Sequence, residues 1–504
     1  MLSTEGCNPA LRLYDRPVAN RDRLSALDTS FLHLESGGAH MHVASVLIFG
    51  GEPPAYEELL SAIESALPLV PRYRQKLAEV PLGQGRPVWI DDPHFNLRYH
   101  VRHSALPAPG SSEQLRLIAA RLFSQRLDRN KPLWELNLVE GLEDGPDGPR
   151  FAAITKTHHA LVDGVSGVDL ISVLFDASPE GSPAPVVAGG WVPRPEPTSA
   201  QLLADAVLER STVPAEAARG VRALTRRPRR AAQRMGERLV GIGAMAWAGM
   251  RPAPASPFNV PIGPHRRYAW VDAEVAEFKA IKDALGGTLN DVVLAAVTLA
   301  LGRFLRRRGE PTEDLVLKAM VPVSVRADAE RGALGNRVSA VYAPLPVGIT
   351  DPRTVFETVH EAMRGLKESG QAVGAEALLS LADFAPPTIM SQAARLQSRQ
   401  RFFNVVVTNV PGPQLPLYLL GRELQSIYPV VPLALNTALG IAIMSYNGRL
   451  AFGLLGDYDA MGDLDDLAAD LDAATAELAR TAGVRRTARR ATAPRRRAAA
   501  APTG

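Results

Sequence analysis

Two adjacent histidines followed by a carboxylate and a glycine, His158-His159-Ala160-Leu161-Val162-Asp163-Gly164, are the residues best suited to chemistry in this chain. A histidine that titrates near neutrality can take a proton from a hydroxyl and return one to a leaving group. That suits acyl transfer to an alcohol, with a contribution of roughly 10²–10⁴-fold from the base. Other uses of the pair compete. Adjacent histidines can hold a metal, but zinc sites favour i, i+4 spacing or cysteine partners and no second ligand cluster lies nearby, so no metal is expected. Histidines can also be satisfied core residues. A serine nucleophile would call for a G-x-S-x-G elbow, and Gly164-Val165-Ser166-Gly167 is one residue short of it.

The element that must present the pair reads as a buried strand from Phe151 to Thr157. If the strand runs on through the pair, alternation sends His158 and His159 to opposite faces, one free for chemistry and the other for support. Asp163-Gly164 then makes a turn, with Gly164 at a position of positive φ or close approach. Ser166-Gly167-Val168-Asp169 resembles a capping box opening a short helix through Phe175.

His-His-x-x-x-Asp-Gly resembles the signature of the CoA-dependent acyltransferase superfamily, and the surrounding segments narrow the resemblance to the bacterial wax ester synthases/diacylglycerol acyltransferases. The similar segments are Leu24-Ser25-Ala26-Leu27-Asp28 with Phe31-Leu32 and Glu35, Met41-His42-Val43, residues 71–77, and Leu127-Asp128-Arg129 followed by Pro132-Leu133-Trp134-Glu135. Later come 262–267, Asn290-Asp291, 321–326, Gly335-Asn336-Arg337 and 409–413, all in the family's order over roughly residues 20 to 480. His40 stands where the family often has Pro, and Phe258 where it often has Leu.

The resemblance implies an α/β (α+β layered) fold. Two chloramphenicol-acetyltransferase-like halves would enclose a substrate tunnel and be joined by a long crossover connector. It implies His159 as general base, no acyl-enzyme, no cofactor beyond acyl-CoA as co-substrate, and a diacylglycerol or a fatty alcohol as acceptor. Asp163 would turn away from the chemistry and pair with an arginine, Arg326 being one candidate, because a buried carboxylate left unpaired is costly.

Around this core the remaining candidates carry two readings each. Asn290 and Asp291 follow Thr288 as a plain helix cap, or the Asn290 amide reaches the histidine loop and stabilises an oxyanion, worth on the order of 3 kcal/mol. Thr408-Asn409 is a strand end stopped by Pro411, or part of the cavity wall. Pro132, Leu133 and Trp134 pack the core or shape an acyl or acceptor pocket. His265, Arg266 and Arg267 form a solvated basic turn or meet coenzyme phosphates.

The chain has 504 residues, 46% hydrophobic and 22% charged, as expected of a globular protein of two halves. Its net charge of +3 comes from seven arginines in 481–504; without them the rest carries −4, which argues against a nucleic-acid enzyme. One cysteine, Cys7, excludes internal disulfides and fits a reducing compartment. No apolar run of signal or spanning type is read, so the expected location is cytoplasmic, peripheral to a membrane or lipid inclusion.

The expected organisation is a loose N-terminus (1–20), a half carrying the histidines (21–177), and a Pro/Gly-rich linker with a basic and apolar connector (178–262). A second half (263–480) and a disordered Arg/Ala-rich tail (481–504) follow. Within the connector, Arg226 to Met250 with Trp247 is either packed on the protein or an interfacial anchor. Strands are predicted at 41–49, 136–140, 151–157, 316–321, 338–345 and 404–409. A hairpin is expected around Asn447-Gly448, and helices at 55–66, 112–124, 200–210, 275–285, 288–304 and 464–479. Two other functions remain open on the sequence alone: a condensation-type transferase acting on carrier-bound substrates, and a non-catalytic lipid-inclusion protein that kept the fold.

Overall fold

The computed structural model describes residues 22–145, 148–162, 170–181, 191–208, 252–324, 338–368 and 401–486. Asp163, Gly164, the 166–169 cap, the connector 226–250 and Arg326 lie outside the described residues. The strands in chain order are β1 (His42–Gly50), β2 (Gln75–Ala78), β3 (Val88–Asp91), β4 (Val101–Ala105), β5 (Trp134–Leu142), β6 (Arg150–His158) and β7 (Arg266–Glu274), then β8 (Val316–Ser324), β9 (Val338–Pro346), β10 (Val405–Pro411), β11 (Tyr418–Leu419), β12 (Arg422–Val430), β13 (Leu439–Tyr446) and β14 (Arg449–Asp457). They form one six-stranded sheet in the order β11-β12-β1-β6-β5-β4, a second in the order β7-β14-β13-β10-β8-β9, and a ribbon of β2 and β3. Two sheet-rich α/β halves were expected, and the structure has them.

Alternation sorts the first sheet's side chains. On β1 and β6, Ala44, Val46, Ile48, Ala152 and Ile154 point into a core shared with the second sheet. Leu47, Phe49, Phe151 and Ala153 point to the other face, where the helix Tyr56–Ala66 packs through Leu59, Leu60 and Ile63. In the second half the helix Leu289–Arg307 is buried along most of its length, from Asp291 to Leu305. Each large apolar side chain removed from water there contributes about 1.5–3 kcal/mol. No single described helix is long and apolar enough to cross a membrane, and this one forms with Val275–Leu285 a pair bent by 97°.

The two sheets are not two consecutive stretches of chain. β12 belongs by sequence to the second half but pairs with β1 in the first sheet, Ala44 opposite Val430 and Leu47 opposite Ile427. It passes so close to β14 that a Cβ on Gly453 would fall 1.8 Å from the Pro429 carbonyl oxygen, so only glycine fits there. Tyr268 on β7 donates its hydroxyl to the Tyr428 carbonyl (3.1 Å), and Trp270 stacks on Tyr428 at 4.5 Å. The predicted hairpin joins β13 to β14, with Asn447 and Gly448 both at positive φ (43° and 80°), the geometry of a type I′ turn.

The segments flanking the two halves are described in part. The helix expected at 200–210 starts at Ser199 and is described through Leu208, residues 209 and 210 lying outside the described residues. Part of the expected linker is pinned to the first half, Arg194 pairing with Asp91 at 3.0 Å. The chain stays held as far as Arg486, which pairs with Glu277 (2.9 Å) and Asp472 (2.8 Å); these two carboxylates hold the start of the arginine-rich stretch on the surface.

A histidine-bearing turn as candidate active site

β1 and β6 run antiparallel with His42 opposite His158. The strand does not continue through the histidine pair. β6 ends at His158, and His159 opens a single helical turn, His159–Val162. The two rings are therefore separated by a change of backbone conformation and not by strand parity. His158 is 1% exposed. Its Nδ1 accepts from the Ala160 N–H at 3.1 Å, so its proton sits on Nε2, which lies 3.3 Å from Glu35 Oε1. His159 is half-buried, its backbone N–H donates to the Met41 carbonyl (2.8 Å), and its ring lies 4.1 Å from that of Phe31, tilted by 30°.

Phe31 comes from the helix Ala26–Leu34, which explains the first of the family-like segments. Ser25 caps this helix, accepting from the Asp28 N–H at 3.0 Å while Asp28 accepts the Ser25 hydroxyl at 2.7 Å. Leu24 and Leu32 anchor it in the core under the first sheet. At its other end Arg129 donates to the Leu32 carbonyl (2.7 Å) and to Glu35 Oε2 (2.7 Å), which gives Leu127-Asp128-Arg129 a structural use. Burial would raise the Glu35 carboxyl. The neighbouring His158, Arg129 and His42 outweigh it and hold the group well below the usual carboxylate range.

On the inner face of the same strands, His40, His42, Lys156 and Arg266 line a small cavity between the sheets, closed off by Val430, Pro432, Leu433 and Leu455. Burial pushes the His40 imidazole down to about 4, with the charges of Arg266 and Arg126 adding to it. Burial, and then the charge of Lys156, takes His42 well below its ordinary value. Lys156 is itself buried, and its ammonium is held by Glu135 (2.7 Å) and the carbonyls of Leu122 (2.8 Å) and Gln125 (2.9 Å).

The other sequence candidates fall into separate places. Asn290 and Asn409 come together across the second half, Asn409 Nδ2 donating to Asn290 Oδ1 at 3.4 Å, with Thr408 half-buried beside them on β10. The capping box is real: Thr288 N–H donates to Asp291 Oδ2 (2.8 Å) and Asp291 N–H to the Thr288 hydroxyl (3.3 Å). Because Asp291 does this work, the Asn290 amide is not needed for capping. Pro132 and Leu133 are buried, and Trp134 is a core residue whose indole N–H donates to the Tyr73 carbonyl (2.8 Å). Trp134 also walls a second small cavity with Thr155, Thr157, Leu170 and Leu174.

His265 is exposed, and its ring meets Tyr458 at 6.2 Å. Arg266 is neither solvated nor on a surface turn, contrary to what its neighbours suggested. Only 4% exposed, it donates to the carbonyls of Gly263 (2.7 Å), His265 (2.9 Å) and Gly38, and so braces the two halves; it has little left to offer a coenzyme phosphate. Glu35, His42 and Lys156 carried no assigned role in the sequence. Glu35 had one signal, its place in the segment that also contains Phe31 and Leu32. Among the described residues no group of three or more His, Cys, Asp or Glu side chains could hold a metal.

Residues 24–293 match the model of the wax ester synthase/diacylglycerol acyltransferase catalytic domain, and 334–479 the model of the WS/DGAT C-terminal domain. A probable diacylglycerol O-acyltransferase of Mycobacterium tuberculosis is 34% identical over 485 residues, covering 93% of this chain and 98% of that one. A second from the same organism is 33% identical over 474 residues, covering 92% and 100%. The structure of a wax ester synthase/diacylglycerol acyltransferase from Marinobacter aquaeolei covers 92% of this chain and all of its own, at 27% identity and a TM-score of 0.62. The first condensation domain of the calcium-dependent antibiotic synthetase shares the fold at 17% identity and a TM-score of 0.54, covering 92% and 96%. With the histidine turn, the paired sheets and both family domains present in one chain, this protein is an acyltransferase belonging to the wax ester synthase/diacylglycerol acyltransferase family.

Proposed function

We propose that the protein transfers a long-chain acyl group from acyl-CoA to the hydroxyl of a diacylglycerol, and of a fatty alcohol where one is supplied, with His159 as general base. The observation that carries this reading is the division of labour in the pair. His158 is buried, with Nδ1 accepting from the Ala160 N–H and Nε2 3.3 Å from Glu35, whereas His159 opens the turn beyond the strand and is half-buried. His159 takes the hydroxyl proton as the acceptor oxygen attacks the thioester carbonyl. The tetrahedral intermediate collapses, the C–S bond breaks, and the proton passes to the coenzyme sulfur. No acyl-enzyme forms, so neither Cys7 nor a serine is a nucleophile.

The Asn290 amide, held by Asn409 and relieved of capping by Asp291, is suited to donate to the developing oxyanion, worth on the order of 3 kcal/mol. Asp163 holds the loop beside the base. Both substrates reach His159 through a channel between the halves, and the enzyme meets its water-insoluble acceptor at a membrane or lipid-inclusion surface from the cytoplasmic side, the 226–250 connector serving as anchor. The names of the mycobacterial relatives support diacylglycerol as acceptor.

The test is direct. Purified protein is given palmitoyl-CoA with either dioleoylglycerol or hexadecanol, and thiol release is followed. Turnover is expected with diacylglycerol, falling at least 10²-fold in a folded His159→Ala variant. Full activity in that variant, or a dead His158→Ala beside an active His159→Ala, would remove His159 as the base.

A further inference from the structure

Glu35 is the C-cap residue of the helix Ala26–Leu34, and its side chain is 9% exposed. Its two oxygens meet groups from three other segments. Oε1 accepts from the Met41 N–H at 2.9 Å and lies 3.3 Å from His158 Nε2 and 3.5 Å from His42 Nε2. Oε2 takes the Arg129 guanidinium at 2.7 and 3.2 Å.

These contacts close a circuit around the base. Glu35 holds the Met41 N–H, and the Met41 carbonyl holds the His159 N–H at 2.8 Å. From the other side, Glu35 faces the protonated Nε2 of His158, which leaves Nδ1 as an acceptor for the Ala160 N–H at 3.1 Å. His158 is thus the side-chain cap of the turn that His159 opens, and it can play that part in only one of its two neutral tautomers. A carboxylate beside Nε2 selects that tautomer, as an oriented second partner does for any working imidazole. With the carboxylate removed, Nδ1 is free to take the proton, at which point it repels the Ala160 N–H and the turn loosens.

We propose that Glu35 is a positioning residue for acyl transfer, acting through His158 and Met41 on the turn that presents His159. The inference rests on His159 being the base. Glu35 touches no reacting atom. Its effect falls on where the base stands, and a misplacement of about 1 Å is enough to cost on the order of 10²-fold in rate.

The experiment measures kcat and KM of the full chain with palmitoyl-CoA and dioleoylglycerol for Glu35→Gln, His158→Gln and the double variant, with melting curves alongside. Glu35→Gln is expected to fold, to lose about 10- to 100-fold in kcat, and to keep both KM values within about twofold. The double variant is expected to be no slower than the slower single one, because both changes break the same circuit. A wild-type kcat in folded Glu35→Gln, a loss confined to KM, or losses that multiply in the double variant would each overturn the proposal. Should Glu35→Gln not fold, Glu35→Asp keeps the charge and draws the carboxylate back by one methylene; a reduced kcat supports the proposal and an unchanged one overturns it. His159→Ala in the same assay separates the two readings. If it stays active, the base assignment fails; if it is dead while Glu35→Gln runs at full rate, only the positioning role fails.

Discussion

In each half of the molecule a buried carboxylate stands beside an imidazole. In the first half His158 Nε2 stands 3.3 Å from Glu35, with side chains 1% and 9% exposed. In the second, His360 Nδ1 stands 2.9 Å from Asp291, with the ring 33% exposed and the carboxylate 3%. Asp291 needs little from His360. It sits in the first turn of the helix Leu289–Arg307, where the Thr288 N–H and the helix dipole already stabilise a negative charge. Glu35 has no helix N-terminus to lean on and draws on Arg129, the Met41 N–H and two imidazoles instead. The shorter contact is therefore the less consequential one. What decides the weight of such a pair is how much of the charge's stabilisation comes from elsewhere, and how many segments depend on it.

The contrast can be broken by substitution. His158→Ala removes a buried ring, the cap of the histidine turn and a partner of Glu35 at once, and is expected to lower the unfolding free energy by about 3 kcal/mol in urea titrations. Next in size is the response to acid. His40 and His42 enter the folded state as neutral rings, His40 at about 4 against 6.5 in the unfolded chain. Between those values the unfolded chain binds protons that the folded one refuses, so stability rises with pH across the window and is lost as pH falls through it. The slope is about 1.4 kcal/mol per pH unit per imidazole. His40→Gln should remove one such contribution, and a slope between pH 6 and 5 that does not change would contradict the burial of a neutral ring there.

Asp291→Ala loses a cap and is expected to destabilise by about 1–2 kcal/mol. His360→Gln, acting on a partly solvated pair, should cost about 0.5 kcal/mol or less. If His360→Gln instead proves as damaging as His158→Ala, the distinction drawn between the two pairs is wrong.

The parts of the site that could be read in advance are those whose cause is local. Thr288 and Asp291 exchange hydrogen bonds three residues apart, Ser111 and Gln114 do the same ahead of the helix Ser112–Ser124, and Asn447-Gly448 dictates its own turn. The histidine pair was legible as a candidate, but the means of its separation was not. Whether a strand ends at residue 158 or 160 depends on what the backbone meets next, and here it meets Met41 on β1's leading edge. Arg266 shows the same limit from the other side. An arginine between a histidine and a second arginine reads as a surface turn until the Gly38 carbonyl, 228 residues away in sequence, is brought against it.

Residue order alone thus determined the alternating strands, the capped helices, the adjacent histidines at the end of a buried strand and, through the collinear segments, the family. Those follow from backbone periodicity and from hydrogen bonds that close within a few residues. Tertiary structure alone decided that β12 crosses back into the first sheet, that a glycine must stand where it passes β14, and that Glu35 gathers the ends of three segments beneath the histidine turn. A carboxylate's partners are chosen by the low-dielectric space it is folded into, and that space exists only once both sheets have closed on it.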